Sequence, residues 1–306
     1  GMFKVQLQRR LFSASLAGLL AQGLWPAFAK TAAGRPRIHE DQAIRQLARL
    51  EAGHGGRLGV AVREVGSWRR LDYRSGQRFP MCSTHKLLTV AAILQRVEQG
   101  RLQLDQSVRF TAADLLAYAP VCRQYLAAGT MSVAQLCAAA LQWSDNTAAN
   151  LLLARIGGPS GWTAYARSLE DFTSRLDRNE PALNQVDIHG RLDTTTPAAM
   201  VADLATLLEG PALHRDSRRQ LLDWLLGAKV TGPLLRSGLP AGWQVADKSG
   251  AGQGGSRADI GWLLPTGGKP LLVAVYSTGS AADMDAQNHL IASSGRVIAD
   301  MFGADG

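Results

Sequence analysis

The sequence predicts an α+β fold in which both chain ends give strands to one antiparallel sheet flanked by helices, with an all-helical domain inserted between them. Three observations lead there. Short alternating apolar runs separated by turn residues occur near the start, at residues 58–73, and again after Gly227. From residue 83 to about 226 the apolar residues recur at helical spacing instead. Neither pattern is interrupted by a repeat or a low-complexity segment. The expected division is a leader over residues 1–29, an α/β domain from residues 30–80 plus 227–306, and a helical domain over residues 81–226. A chain of 306 residues with 46% hydrophobic and 19% charged residues has an ordinary globular composition and can bury a sizeable core.

The leader comes first. Gly1 stands ahead of Met2, and Lys4, Arg9 and Arg10 precede a mostly apolar run over residues 11–28 that closes in Ala27-Phe28-Ala29. Basic start, apolar middle and small-x-small end make a secretory signal peptide. Ser13, Ser15, Gln22 and Pro26 break the run, which is short for a bilayer span, so cleavage is expected and no stable membrane span after it. The segment Arg9-Arg10-Leu11-Phe12 also resembles the twin-arginine export pattern, with Gln8 where Ser or Thr usually stands, and the general and twin-arginine routes both stay open. A periplasmic or secreted location is expected by either.

Glu40 and Asp41 ahead of Ile44, Leu47 and Leu50, closing at Gly53, read as an amphipathic helix with acid at its positive end. Leu58, Val60 and Val62 alternate, Gly66-Ser67 turns the chain, and residues 68–73 return as the second arm of a hairpin. Leu87, Val90, Ala91, Leu94 and Val97 form a helical stripe that stops at Gly100, and Val133, Leu136 and Ala140 form another. Thr196-Pro197 is an N-cap with proline at the first helical position. Residues 243–247, 257–264 and 270–278 read as strands, and residues 284–301 as a closing helix. A cleft between sheet and helices is the natural ligand site.

Removing the leader takes away three basic residues and no acidic one, so the formal charge falls from +8 to +5. That residue of charge carries no basic cluster interleaved with aromatics, which excludes a nucleic-acid-binding reading. The histidines (His39, His54, His85, His189, His214, His289) form no ligand motif and no C-x-x-C occurs, so neither metal nor cofactor is expected. Cys82, Cys122 and Cys137 are an odd number, so at least one thiol lacks a partner within the chain.

The chemistry is carried by four strings in order: Ser83-Thr84-His85-Lys86, Ser144-Asp145-Asn146, Glu180 with Asn184, and Lys248-Ser249-Gly250. Only six lysines occur in the chain, and two of them fall in these strings, Lys86 with a serine three positions before it and Lys248 opening a Lys-Ser-Gly triplet. Ser83 opens a helix, near free backbone N–H groups and the positive end of the helix dipole. Lys86, three residues on, shares its face. A serine hydroxyl needs a group to take its proton, and a neighbouring amine or a carboxylate acting through water can do so. Read singly, each string has a plain structural meaning: an N-cap and a surface lysine, an Asp145 N-cap, a strand-end turn, and a loop glutamate paired with Arg175 or Arg178. Together, each at an element boundary, they compose an acyl-transfer site.

On these strings the chain resembles the class A β-lactamases, a family that carries the same trio of motifs. The resemblance spans nearly the whole mature chain and includes Arg178-Asn179-Glu180-Pro181-Ala182-Leu183-Asn184, Asp193-Thr194-Thr195-Thr196-Pro197, Thr231-Gly232-Pro233-Leu234-Leu235-Arg236 and Gly255-Ser256-Arg257. The Glu180 string separates the family from penicillin-binding proteins, which share the other three. The resemblance implies an antibiotic-resistance hydrolase that acts as a monomer on a small-molecule β-lactam. Ser83 would be the nucleophile, with the N–H groups of Ser83 and Ala251 as the oxyanion hole. Ser144 would pass a proton to the leaving nitrogen, and either Lys86 or Glu180 through a water would take the proton of Ser83. Glu180 and Asn184 would hold the deacylating water. Lys248, Ser249, Gly250 and Arg257 would receive the substrate carboxylate, Asn146 the acylamino group, and the Tyr118 ring would wall the cleft. Arg178 and Asp193 would pair across the neck of an Ω-sized loop. His85 is expected to be a packing residue. Relatives bridge the position of Cys137 to that of Val90, or the position of Cys82 to that of Gly252, and both partners are absent here.

Overall fold

The computed structural model describes residues 37–303, and the expected signal over residues 1–29 lies outside them. Helix α1 (Glu40–His54) begins where Gln42 Oε1 accepts the His39 N–H at 2.8 Å, with Glu40 and Asp41 in its first turn, and buries Ala43 and Leu47. The hairpin follows as β1 (Arg57–Glu64) and β2 (Arg70–Tyr73) in antiparallel register. A two-residue strand β3 (Phe79–Pro80) then leads into a 3₁₀ turn, Cys82–Thr84, and helix α2 (His85–Glu98).

The middle of the chain is helical, as expected, except for two small ribbons. These pair β4 (Ser107–Arg109) with β5 (Thr130–Ser132), and β3 with β6 (Thr194–Thr195). The helices are α3 (Val133–Gln142), α4 (Asn146–Ala154), α5 (Gly158–Ser168), α6 (Pro197–Leu204) and α7 (Arg215–Leu226). Their caps are local: Asp145 accepts the Ala148 N–H, and Thr196 accepts that of Ala199 ahead of Pro197. Helix α2 is the departure. The sequence shows one apolar stripe, yet every residue from 85 to 94 is buried, because α3, α4, α5 and α7 surround it. Polar Thr89, His85 and Lys86 are thereby carried into the interior.

A short helix α8 (Leu235–Gly238) precedes three long strands, β7 (Gln244–Gly252), β8 (Ser256–Leu264) and β9 (Leu271–Thr278), and helix α9 (Met284–Phe302) closes the chain. The sheet order is β2-β1-β9-β8-β7, all neighbours antiparallel, so the strands of the two chain ends meet at β1 and β9. Alternation decides the faces. Val60, Val62, Val245, Val273 and Val275 pack beneath α1 and α9, whereas Ala61, Ala258, Ile260, Ala274 and Tyr276 face the helical core. Gly59 lets the sheet approach that core: a β-carbon there would come within 2.5 Å of the Phe79 ring and 2.9 Å of Pro197. Strand β7 runs five residues beyond the expected end at 247, so Lys248-Ser249-Gly250 lies inside the strand. Pairing with β8 out to Gly252 and Ser256 outweighs the weak strand preference of the glycines.

Candidate active site

Strand β7 is the sheet edge, and its backbone presses on the turn that carries Ser83. A β-carbon on Gly250 would stand 2.9 Å from Met81 O and 3.3 Å from Ser83 N, so only glycine fits this approach. Between them opens a cleft of about 300 Å³, lined on the helical side by Ser83, Tyr118, Ser144, Asn146 and Asn184, and on the sheet side by Ser249, Gly250, Ala251 and Arg257. Lys86, Lys248 and Glu180 lie behind this lining, almost fully buried. The structure thus brings every candidate residue to one place. Val230, which the sequence did not single out, joins the lining.

Two residues beside the cleft have left-handed backbones, Cys82 (φ 48°) and Ser144 (φ 58°). For residues with a β-carbon this costs about 1–3 kcal/mol each, which the surrounding packing must offset. At Ser144 the strained turn between α3 and α4 aims both its carbonyl and its hydroxyl at one amine. Lys86 Nζ donates to Ser144 O at 2.8 Å, to Ser144 Oγ at 3.0 Å and to Asn146 Oδ1 at 2.7 Å.

Burial lowers the basicity of Lys86, and the Glu180 and Asp145 carboxylates restore part of it. Three acceptors for three N–H groups favour the ammonium. Lys248 is buried as deeply, and burial together with the nearby Lys86 charge lowers it far below its ordinary value. Its Nζ donates to Ser144 Oγ at 3.0 Å and to Ser249 O at 2.7 Å. Both lone pairs of the Ser144 hydroxyl therefore face amines, and its own proton is left to point into the cleft.

Glu180 sits in the loop between α5 and β6. Asn150 on α4 accepts the Glu180 N–H at 3.0 Å and donates to its carbonyl at 2.9 Å. No sequence string marked Asn150. The loop's neck is closed by Asp193, which accepts from Asp177 N (2.7 Å), Arg178 N (3.0 Å) and Arg178 Nε (2.7 Å). Arg175 is held by Asp177, so neither arginine pairs with Glu180.

The Glu180 carboxylate turns inward instead. Oε1 lies 3.1 Å from His85 Nε2 and 3.7 Å from Lys86 Nζ, and Oε2 accepts from Asn184 Nδ2 at 2.7 Å. Burial alone would raise its pKa, but the Lys86 charge and the hydrogen bonds from His85 and Asn184 prevail and hold it at about 2. Asn184 Oδ1 is buried with no protein partner, an acceptor free for a hydrogen donor beside the carboxylate. His85 is buried as a packing residue would be, yet both its ring nitrogens are engaged.

On the sheet side, Arg257 donates from Nε to Asn288 Oδ1 at 2.9 Å and from Nη1 to Gly250 O at 3.0 Å, which holds the guanidinium along the cleft. The Tyr118 hydroxyl donates to Trp143 O at 2.7 Å, leaving its ring toward the opening. All three cysteines are buried and unpaired. No helix among the described residues is long and apolar enough to cross a membrane.

The sequence pattern of the β-lactamase enzyme family matches residues 42–302. The fold is similar to that of an ancestral (GNCA) class A β-lactamase at 49% identity and a TM-score of 0.84, covering 85% of this chain and 100% of that one. It is similar also to the class A β-lactamase of the last common ancestor of Gram-negative bacteria (GNCA4), at 50% identity and a TM-score of 0.82 over 84% of this chain and 97% of the other. PenP from Rhodopseudomonas palustris, assigned to class A, is 47% identical with a TM-score of 0.82, over 85% and 99% of the two chains. With sequence and fold shared over most of its length, this chain belongs to the class A serine β-lactamases.

Proposed function

We propose that this β-lactamase is an exported, periplasmic monomer that opens the ring of penicillin- and cephalosporin-type substrates through an ester on Ser83, and that a water activated by Glu180 releases the product. Ser83 Oγ attacks the lactam carbonyl, and the developing oxyanion is met by the N–H groups of Ser83 and Ala251. The cleft-facing proton of Ser144 goes to the departing nitrogen as the C–N bond breaks. Lys86, with its three hydrogens engaged, acts as a cation, which favours Glu180 through a water as the group that takes the proton of Ser83. That proton then passes by way of Lys86, between Glu180 and Ser144, to replace the one Ser144 gives up, so that Glu180 is ionised again for the second step. Lys248, Ser249 and Arg257 receive the substrate carboxylate. In deacylation, water loses a proton to Glu180, its oxygen adds to the ester carbonyl, and as the ester C–O bond breaks that proton is returned to Ser83 Oγ, which regenerates the enzyme.

One observation carries this reading: a buried, ionised carboxylate whose Oε2 is hydrogen-bonded to Asn184, beside an Asn184 oxygen that has no protein partner. The two oxygens can accept the two hydrogens of one water, and one of them is a base. The test is Glu180→Ala with a chromogenic cephalosporin. The unsubstituted enzyme is expected to turn over, and the variant to accumulate an adduct of substrate mass on Ser83, read by intact-protein mass spectrometry. A single stoichiometric burst from the unsubstituted enzyme, or undiminished turnover by Glu180→Ala, overturns it.

A further inference from the structure

The group that holds Glu180 from behind is His85, the third residue of the Ser83-to-Lys86 turn. Its Nε2 is 3.1 Å from Glu180 Oε1, and its Nδ1 is 3.1 Å from Thr89 Oγ1, one helical turn along α2. The His85 ring, Thr89 and the Glu180 side chain are all shut off from solvent. The protonation pattern follows from what each atom can offer. A neutral imidazole facing a carboxylate must present N–H, which puts the hydrogen on Nε2. Nδ1 is then an acceptor, and the Thr89 hydroxyl is the donor beside it. That hydroxyl also donates to His85 O at 3.0 Å, a carbonyl that Trp162 Nε1 reaches at 3.0 Å as well, so its one hydrogen is shared between this carbonyl and Nδ1.

We propose that His85 is a positioning residue for deacylation: with its tautomer set by the facing carboxylate and matched by the Thr89 hydroxyl at Nδ1, its Nε2–H pins Glu180 Oε1 and thereby turns Oε2 toward Asn184 and the attacking water. The proposal rests on Glu180 being the deacylation base. The carboxyl could otherwise rotate about its last bond and exchange its oxygens. His85 and Lys86 both face Oε1, whereas Asn184 alone faces Oε2, so the lone pair left for a proton is on the water side.

The charged groups around the pair are Lys86 on α2 and Lys248 on β7, with the Cys82 thiol on the 3₁₀ turn. α4 offers Asn150 and α5 offers Trp162, neither of which titrates. Burial lowers the pKa of His85 below its ordinary value, with the two lysines adding repulsion and the Glu180 carboxylate opposing them. It therefore acts as a fixed donor that favours the ionised form of Glu180. Removing it makes the carboxylate easier to protonate, so the acid side of the deacylation profile moves to higher pH.

The test is single-turnover deacylation across the acid range for the unsubstituted enzyme, His85→Phe and His85→Gln, with acylation followed separately. Gln can set its amide nitrogen close to where Nε2 stands. His85→Phe is expected to slow deacylation about tenfold and to move the acid limb up by about one pH unit, the scale of one hydrogen bond to a charged group. Acylation, which draws on the same carboxylate, should slow alongside deacylation, and His85→Gln should recover most of these effects. Thr89→Val, which strips the donor from Nδ1 and leaves Nε2 in place, should move the limb in the same direction by less, and it serves if the ring substitution fails to fold.

An unmoved limb in His85→Phe, or in Thr89→Val should His85→Phe not fold, overturns the proposal, as does equal loss in the Phe and Gln variants, the mark of packing alone. Glu180→Ala separates the two readings. If it stalls at the adduct while His85→Phe is normal, only the positioning role falls. If it deacylates normally, the base assignment itself has failed.

Discussion

Replacing Asp193 by Asn tests whether the neck of the loop controls the position of Glu180. In the folded enzyme the Asp193 carboxylate accepts two backbone N–H groups through Oδ1, and the Arg178 guanidinium through Oδ2 at 2.7 Å. An amide has one acceptor oxygen, so whichever way it turns, an N–H faces another N–H. Two unit charges about 4 Å apart at an effective dielectric of ~20 attract by about 4 kcal/mol. Arg178 keeps 29% of its side chain in solvent while Asp193 keeps 1%, so screening cuts the usable part to about half, or 2 kcal/mol.

The unsatisfied donor adds about 1 kcal/mol, for a total near 3. For a chain of this size that corresponds to a melting temperature lower by about 6 °C or more. Arg178 also donates to Gln185 O, one residue past Asn184, so the same loss loosens the segment that carries Glu180 and Asn184. Thermal unfolding followed by circular dichroism, steady-state turnover of a chromogenic cephalosporin, and intact mass during turnover are the assays. Asp193→Asn should melt early, turn over at least about tenfold more slowly, and show adduct at steady state, as the proposed role of Glu180 in the second step requires. A melting point within about 1 °C of the unsubstituted enzyme, with unchanged turnover, would refute the argument that this pair braces the loop.

Two further outcomes are expected. A β-carbon at position 252 would lie 2.6 Å from Cys82 Sγ, so Gly252→Cys, once oxidised, should bridge to Cys82, lose both thiols to quantitation, and gain up to about 5 kcal/mol from closing so long a loop; persistence of both thiols under oxidant would show that the approach is too tight for disulfide geometry. Because the folded pKa of Glu180 is depressed, its contribution is fully present above its ordinary value of 4.5 and is lost as pH falls toward about 2. The stability difference between the enzyme and Glu180→Gln, on the order of 3 kcal/mol at most, should therefore shrink through that acid window in urea titrations, and a difference independent of pH would contradict the assignment.

Much of the fold is legible because its signals are local. The hairpin reads from the alternation of Leu58, Val60 and Val62, the α6 start from Thr196-Pro197, and the α4 cap from Asp145. The strings Ser83–Lys86, Ser144–Asn146, Glu180–Asn184 and Lys248–Gly250 were legible as a pattern for the same reason, since residue type and spacing within one turn are properties of the letters. Misjudged features are those in which a distant element overrides a local preference. A single stripe on α2 gives no sign that helices close around its other side and bury Lys86 and His85. The glycines after Lys248 look like a strand's end until β8 pairs with them.

The amino-acid sequence by itself determined which elements form, which residue types stand at their boundaries, and so the class of reaction. Only the tertiary structure decided the partners. Glu180 had arginines two and five positions away and bonds instead to His85, 95 residues distant, because Asp177 and Asp193 claim those arginines and the loop folds its carboxylate inward. The three thiols, whose pairing spacing left open, end buried and apart. Local preference is summed over a few bonds along the chain. The hydrogen-bond partner of a buried group depends on which surfaces meet once the core has closed, a matter of packing across long sequence separations.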